Sequence, residues 1–143
     1  MKYSRLMVLF VGIGALGCPR VVDRAVDIRV QNVGETYKFS FKLCGSGEIE
    51  VSEISLTEGP AVIGSREALP LCEVRQGRPS VRRFKGEWSY GYVPPEWEKK
   101  GTCDPLRPGR SYEVRVPNAG GGRRQFSILA DGTADLGVSS CDE

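Results

Sequence analysis

Histidine is absent from this chain of 143 residues. Its absence removes the commonest general base near neutral pH and the commonest metal ligand. It also excludes the Ser-His-Asp and Cys-His arrangements of nucleophilic catalysis. Carboxylates remain as catalytic groups, but nothing in the sequence singles out two of them at the separation that a glycosidase needs. We therefore predict that the protein is not an enzyme and holds neither a cofactor nor a metal.

An excess of either charge is also absent. The chain has 20 basic and 18 acidic residues, and two of the basic ones, Lys2 and Arg5, lie in a first segment that contains no acid. The remainder is therefore neutral and has no global electrostatic reason to bind nucleic acid. The basic stretch 75–85 and the pair Arg123-Arg124 are expected to be solvated loop charge. The alternative is that they bind the phosphates of lipopolysaccharide or an acidic partner.

Long apolar runs are scarce, because the chain has only one, Leu6–Leu16. Lys2 and Arg5 precede this run, and Gly17-Cys18 closes it. A positive start, an apolar core of this length and a small residue at its end are typical of a secretory signal. The run is too short to span a membrane comfortably, and no second run of this kind follows. We expect no transmembrane helix in the mature protein.

The cysteine directly after the small residue makes this segment resemble a bacterial lipoprotein signal. In that family the cysteine is lipidated and becomes the new N-terminus. The resemblance implies that residues 1–17 are removed, that Cys18 carries the lipid, and that residues 18–24 tether the domain to the membrane. An aspartate directly after the lipidated cysteine resembles an inner-membrane retention signal, and this chain has Pro19 there instead. We therefore expect the anchor to lie in the outer membrane and the domain to face the periplasm. The alternative is an ordinary cleaved signal in which Cys18 has no role.

Lipidation of Cys18 would also leave an even number of cysteines. The other four are Cys44, Cys72, Cys103 and Cys141. An even number in an exported chain predicts a disulfide framework, and four cysteines allow three connectivities. We expect Cys44–Cys72 and Cys103–Cys141, because each bond would join positions near strand ends in its own half of the chain. Oxidised cysteines would leave no thiolate site for zinc.

Short apolar runs between Gly, Pro and Asn turns predict strands throughout residues 25–143. The clearest is 37–43, in which Tyr and Phe alternate with Lys and Ser. The parity of the next apolar pattern changes between Val51 and Ile54, which predicts a bulge near Ser52-Glu53. Asp131-Gly132 predicts a two-residue hairpin. The other predicted strands are 26–31, 71–75, 87–93, 111–116, 126–130 and 134–138.

Seven or eight short antiparallel strands predict an all-β fold, an antiparallel β-sandwich formed by residues 25–143. The segment 106–114 resembles a feature of fibronectin type III and related immunoglobulin-like domains. In those domains a leucine, a Pro-Gly turn and a tyrosine introduce a late core strand, as Leu106, Pro108-Gly109 and Tyr112 do here. The resemblance implies an immunoglobulin-like sandwich and carries nothing about function.

Four aromatic residues are candidates for binding a partner. Trp88, Tyr90 and Tyr92 share one face of the predicted strand 87–93, and Trp97 lies in a predicted charged loop, 96–110. Aromatic side chains stack on sugar rings and anchor protein interfaces. For the three strand residues we favour a place in the core, since Glu87, Ser89 and Gly91 make a plausible outer face, whereas Trp97 is either exposed or covers a sheet edge.

These observations predict a lipid-anchored binding or structural module of the bacterial envelope. Its partners would be the membrane, through the lipid, and an envelope protein or a glycan. The alternative is a periplasmic inhibitor or immunity-type protein that blocks an enzyme. Such an inhibitor would present the loop 96–110 as a protrusion, with Trp97 as its anchor.

Overall fold

The computed structural model describes residues 26–45, 47–59, 69–117, 122–137 and 141. The predicted signal, Cys18 and the tether lie outside these ranges, as does Val138. The described residues contain no helix, and hence none that could cross a membrane. They form the strands β1 (Val26–Val33), β2 (Thr36–Leu43), β3 (Glu50–Val51), β4 (Glu53–Glu58), β5 (Cys72–Gln76), β6 (Phe84–Lys85), β7 (Glu87–Ser89), β8 (Trp97–Gly101), β9 (Ser111–Val116), β10 (Gly122–Ile128) and β11 (Ala134–Asp135).

The strands form two antiparallel sheets that face each other. The first sheet has the order β1-β2-β7, the second has the order β11-β10-β9-β4-β5-β8, and β3 pairs with β6. The rings of Phe39 in β2 and Phe126 in β10 lie 5.7 Å apart between their centroids. One buried apolar cluster fills the space between the sheets. The prediction of an all-β antiparallel sandwich is confirmed.

The core strands follow the predicted alternation. Tyr37, Phe39 and Phe41 of β2 are buried, and the lysines and serine between them are more exposed. A break also occurs where the parity of the sequence changes. Ser52 separates β3 from β4, and its carbonyl accepts a hydrogen bond from the Gln76 N–H at 2.9 Å. This extra residue allows the apolar side chains on both sides of it to point into the core.

Two predictions about the middle of the chain are wrong. The aromatic strand ends early, because β7 stops at Ser89 and a turn follows, closed by a hydrogen bond from the Tyr92 N–H to the Ser89 carbonyl. Gly91 has φ of 79° within this turn, a conformation that glycine adopts readily. The predicted loop 96–110 instead begins with β8, which pairs with β5. The aromatic residues of 87–93 therefore do not share one strand face.

The hairpin at Asp131-Gly132 has three loop residues, not the predicted two. The Leu129 N–H donates to the Thr133 carbonyl at 2.9 Å, and the Gly132 N–H donates to the Leu129 carbonyl at 2.9 Å. Gly132 has φ of 85°, so the loop is a tight turn followed by a left-handed glycine. The three loop residues are Ala130, Asp131 and Gly132. The sequence signal identified the glycine correctly but not the length of the loop.

The segment before β9 forms a fixed corner. The Tyr112 hydroxyl accepts a hydrogen bond from the Arg107 N–H at 2.9 Å, and Leu106 is buried beneath the turn. The Gly109 N–H donates to the Ile128 carbonyl at 2.7 Å, which joins the turn to the end of β10. These contacts fix the direction in which the chain enters β9.

All four described cysteines form disulfides, as predicted, but the predicted pairing is wrong. The bonds are Cys44–Cys141 and Cys72–Cys103. Cys72 opens β5, and Gly101 of β8 is its partner across the ladder, which brings Cys103 beside it. The sequence pattern predicts a loop in place of β8 and therefore contains no signal that these two cysteines meet.

Single substitutions should reveal this pairing. We expect Cys44→Ser to free the thiol of Cys141, and Cys72→Ser to free that of Cys103. Each variant should lose about 4 kcal/mol of unfolding free energy, because the unfolded chain regains the freedom that a long closed loop restricts. Thiol labelling followed by peptide mapping identifies the freed cysteine, and urea unfolding measures the loss. Labelling of Cys72 in the Cys44→Ser variant would contradict the pairing.

Candidate functional site

The sandwich has two chemically different ends. We call the end at which β1 begins the N-terminal end. Val26 lies there beside Gly122, where an added Cβ would stand 2.7 Å from the Val26 Cβ. The pairing register across the second sheet places Gln76, the last residue of β5, at the same end as Gly122. Gln76 pairs with Trp97 of β8. Cys44 follows β2 at the same end, so the bond to Cys141 lies there too.

The opposite end, which we call the far end, consists of turns. The β1–β2 turn and the β10–β11 turn meet there. Asn32 Nδ2 donates to the Gly132 carbonyl at 2.9 Å, and the Tyr37 hydroxyl donates to the same oxygen at 2.8 Å. The turn that contains Tyr90 also lies at this end, because the Tyr90 N–H donates to the Tyr37 carbonyl at 2.8 Å.

Of the four large apolar side chains that are exposed in the described residues, Leu69 precedes β5 and the other three lie in turns or strand ends of the far end. Tyr92 is 54% exposed, Val33 is 50% exposed and Leu129 is 45% exposed. Each belongs to a different turn or strand end. Single exposed apolar residues are common on soluble proteins, but three at one end are a feature that a contact surface would explain.

The phenols at the far end are held in fixed positions. Burial raises the pKa of the Tyr37 hydroxyl and raises that of Tyr90 far above its usual value. The Tyr90 hydroxyl donates to the Asp104 carbonyl at 2.7 Å. By contrast, the Thr133 N–H and hydroxyl lower the pKa of the exposed Asp131 carboxyl. These shifts widen the pH range over which the two tyrosines remain neutral hydrogen-bond donors and over which Asp131 remains charged.

The two tryptophans are packed inside the protein. Trp88 is 1% exposed, its ring centroid lies 5.4 Å from that of Phe39, and its indole N–H donates to the Tyr92 carbonyl at 2.8 Å. Trp97 is 8% exposed, and its indole N–H donates to the Arg82 carbonyl at 3.2 Å. Tyr90 is partly buried. Of the four candidate contact residues, Tyr92 alone exposes more than half of its surface.

Trp97 nevertheless borders a cleft of about 300 Å³, which we call the Trp97 cleft. Its wall combines apolar side chains with exposed charged ones. The Phe84 ring lies 5.6 Å from the Trp97 ring between centroids. The lining residues are Val81, Arg82, Arg83, Phe84, Pro94, Pro95, Glu96 and Trp97. The sequence showed the basic stretch and Trp97 separately but gave no sign that they meet.

The lip of the cleft holds a strained residue. The Trp97 N–H donates to the Pro94 carbonyl at 3.1 Å, which closes a four-residue turn. Glu96, at the third position of this turn, has φ of 64°. A turn with proline second and a positive φ third normally has glycine in the third position. Glu96 therefore occupies a conformation that costs about 1 kcal/mol for a residue with a side chain.

A buried carboxylate on the outer face of the second sheet was not anticipated. Glu113 is 1% exposed, and its carboxylate accepts hydrogen bonds from Arg115 and, at 3.2 Å, from Gln125. Thr57 lies opposite it on β4, and the Thr57 hydroxyl has no hydrogen-bond partner among the residues that the structure describes. The arginine compensates the buried charge. The alternation of β9 places Glu113 outward but does not reveal that it is covered.

Neither the site geometry nor comparison with other proteins assigns a chemistry to this chain. Within the ranges that the structure describes, no group of three or more acidic or cysteine side chains is arranged to hold a metal ion. Comparison with known protein families, with curated proteins and with solved structures finds no match. Function must therefore be inferred from the two ends of the sandwich themselves.

Two aromatic truncations should separate packing from surface contact. We expect Trp97→Ala to lower the free energy of unfolding by about 3–5 kcal/mol, because it removes a large buried ring. Tyr92→Ala should change it by about 0.5 kcal/mol or less, as is usual for surface positions. Urea unfolding of both variants provides the measurement. A Trp97→Ala variant as stable as the parent would show that Trp97 is not packed as described.

A glycine at the lip of the cleft should stabilise the protein. We expect Glu96→Gly to raise the free energy of unfolding by about 1 kcal/mol, because glycine adopts a positive φ without steric cost. Glu98→Gly is the matched control, since Glu98 lies in β8 and pairs with Arg75 at 3.1 Å. Glycine there should destabilise the strand by about 1 kcal/mol. Equal effects of the two substitutions would argue against the turn geometry.

Proposed function

We propose that this chain is a lipid-anchored binding or structural module of the bacterial envelope, without catalytic activity. The lipid would be carried by Cys18, in the outer membrane, with the sandwich in the periplasm. The absence of histidine and the neutral charge of residues 18–143 support a binding role over an enzymatic one. The observation that carries the proposal is the chemical difference between the two ends of the sandwich.

The length of the tether supports this orientation. Seven residues, 19–25, separate Cys18 from the start of β1. Even fully extended they span at most about 25 Å, so a lipid on Cys18 would keep the N-terminal end of the sandwich close to the membrane. β1 has eight residues and spans roughly 27 Å, so the far end would lie that much further from the lipid.

The far end would then present the contact surface. Tyr92, Val33 and Leu129 are exposed there, away from the proposed anchor. Membrane contact therefore does not account for their exposure, whereas an envelope protein or a glycan does. Tyr92 is the best candidate anchor, because tyrosine combines a large apolar ring with a hydroxyl. Its backbone is fixed by the hydrogen bond from Trp88, so little order would be lost on binding.

The strand order supports an immunoglobulin-like topology for the module. In that fold the first, second and fifth strands share one sheet, and the third, sixth and seventh share the other. β1, β2 and β7 would be the former set, and β4, β9 and β10 the latter. β5 and β8 would extend the second sheet. The Tyr112 corner at the start of β9 stands where such domains have theirs.

The inhibitor alternative has less support. It needs the segment 96–110 to protrude with an accessible anchor. β8 is instead paired with β5, Trp97 is packed, and Cys103 is bonded to Cys72. The first part of this segment therefore lies against the sheet, and no observation favours an inhibitory loop there.

Replacing the proposed lipid-bearing residue tests the anchor. We expect Cys18→Ser to abolish lipidation, because serine has no thiol to form the thioether. The protein should leave the membrane fraction or remain unprocessed, since each buried CH₂ of an acyl chain contributes about 0.8 kcal/mol to membrane binding. Membrane fractionation and intact mass are the measurements. Cys44→Ser is the matched control and should stay in the membrane fraction, whereas an unchanged mass and location for Cys18→Ser would refute the anchor.

A further inference from the structure

The segment 77–85 concentrates basic charge at the N-terminal end of the sandwich. It contains four basic residues and no acid. Arg78, Arg82 and Arg83 are all exposed, and none of them forms an ion pair with any residue that the structure describes. The neighbouring basic residues behave differently, because Arg75 pairs with Glu98 at 3.1 Å and Lys85 pairs with Glu50 at 3.5 Å. The three arginines therefore keep their full charge for a partner.

The fold holds these arginines at the end where the tether joins the sandwich. The segment follows Gln76, the last residue of β5, and turns back against it. The Val81 N–H donates to the Arg78 carbonyl at 3.0 Å, and the side-chain amide of Gln76 donates to the Val81 carbonyl. Gln76 in turn pairs with Trp97 in the row nearest this end. Arg82 and Arg83 thus form one side of the Trp97 cleft.

We propose that three arginines bind the anionic phospholipid headgroups of the membrane that carries the anchor, together with the Trp97 cleft, which lies between these arginines and the Pro94-Pro95 turn. The arginines are Arg78, Arg82 and Arg83. This inference rests on the proposed lipidation of Cys18, because the short tether would hold these arginines at the lipid surface. A guanidinium binds phosphate oxygens through two parallel hydrogen bonds. The apolar wall of the cleft, formed by Phe84 and the two prolines beside the small exposed edge of Trp97, suits the region just below the headgroups, and Glu96 is the one acidic residue in its lining.

The tether gives this contact its strength. Each arginine near an anionic surface raises the binding constant by a factor of only about five, so an isolated cluster of three binds weakly. A lipid on Cys18 would hold the start of β1 within about 25 Å of the membrane surface. The arginines would then meet the headgroups at a high effective concentration. The anchor would thus keep the protein on the membrane, and the arginines would set its orientation, with the far end directed away from the lipid.

The test measures where the Trp97 cleft lies relative to the lipid surface. The full chain is reconstituted in vesicles of phosphatidylcholine, with or without phosphatidylglycerol, both containing a headgroup spin label that quenches tryptophan fluorescence. We expect stronger quenching in the vesicles with phosphatidylglycerol. We also expect this difference to vanish at about 1 M salt, where the screening length falls to about 3 Å. Trp97→Phe should remove the response, because Trp88 lies between the sheets with its indole N–H on the Tyr92 carbonyl, toward the far end and away from the lipid.

Two charge reversals of equal size provide the decisive comparison. Arg82→Glu/Arg83→Glu should abolish the dependence on phosphatidylglycerol. Arg107→Glu/Arg110→Glu makes the same change of charge in exposed residues at the far end, where it also breaks the ion pair of Arg110 with Glu58 at 3.6 Å, and should leave that dependence intact. Equal quenching of the parent protein in both vesicle types would overturn the proposal and favour an acidic protein as the partner. Equal behaviour of the two double variants would also overturn it.

Flotation of the vesicles separates a failure of this proposal from a failure of the anchor. A chain that does not float refutes the lipid on Cys18. The quenching dependence is then measured with vesicles added to the free chain, and its persistence supports the headgroup contact by itself. A chain that floats but shows no dependence on phosphatidylglycerol keeps the anchor and refutes the contact.

Discussion

The packing of Phe39 against Phe126 across the sandwich is the contact on which the rest of the structure depends. Phe39 is fully buried, and its ring also lies within 5.4 Å of the Trp88 ring and 6.5 Å of the Tyr90 ring between centroids. This cluster joins β2 and β7 of one sheet to β10 of the other. Burial of rings of this size contributes more than any surface pair in the molecule. The turns at both ends are therefore attached to one rigid centre.

Burial on one face made much of this fold predictable, because it leaves an alternating pattern in the sequence. β2 and β9 were predictable because their buried side chains recur at every second residue. The break at Ser52 was predictable because that alternation changes parity there. β8 could not be predicted in this way. It is an edge strand of which Trp97 is the buried residue, followed by Glu and two Lys residues. Charged edge strands avoid pairing with other proteins but resemble loops in sequence. The disulfide pairing was missed for the same reason, because Cys103 meets Cys72 only through β8.

The Trp97 cleft shows why a site is harder to predict than a strand. Both of its components were visible, a basic stretch and a tryptophan in charged surroundings. Thirteen residues, including the whole of β6 and β7, separate Arg83 from Trp97 in the chain. Pairing of β8 with β5 brings them together, and the turn at Glu96 then aims the indole N–H at the Arg82 carbonyl. Strain at Glu96 persists because the surrounding hydrogen bonds determine the turn.

The two disulfides constrain different parts of the sandwich. Cys44–Cys141 joins the end of β2 to the last described residue, so both the start of β1 and this late residue lie at the N-terminal end. Cys72–Cys103 lies toward the far end and holds the chain that leaves β8 against β5. The far end is thus built from turns, with neither the start of β1 nor Cys141 near it. A surface of this kind tolerates changes in its turns without disturbing the core. In the tethered module that we propose, substitutions in those turns would therefore leave the charge of the N-terminal end and the proposed lipid attachment unchanged.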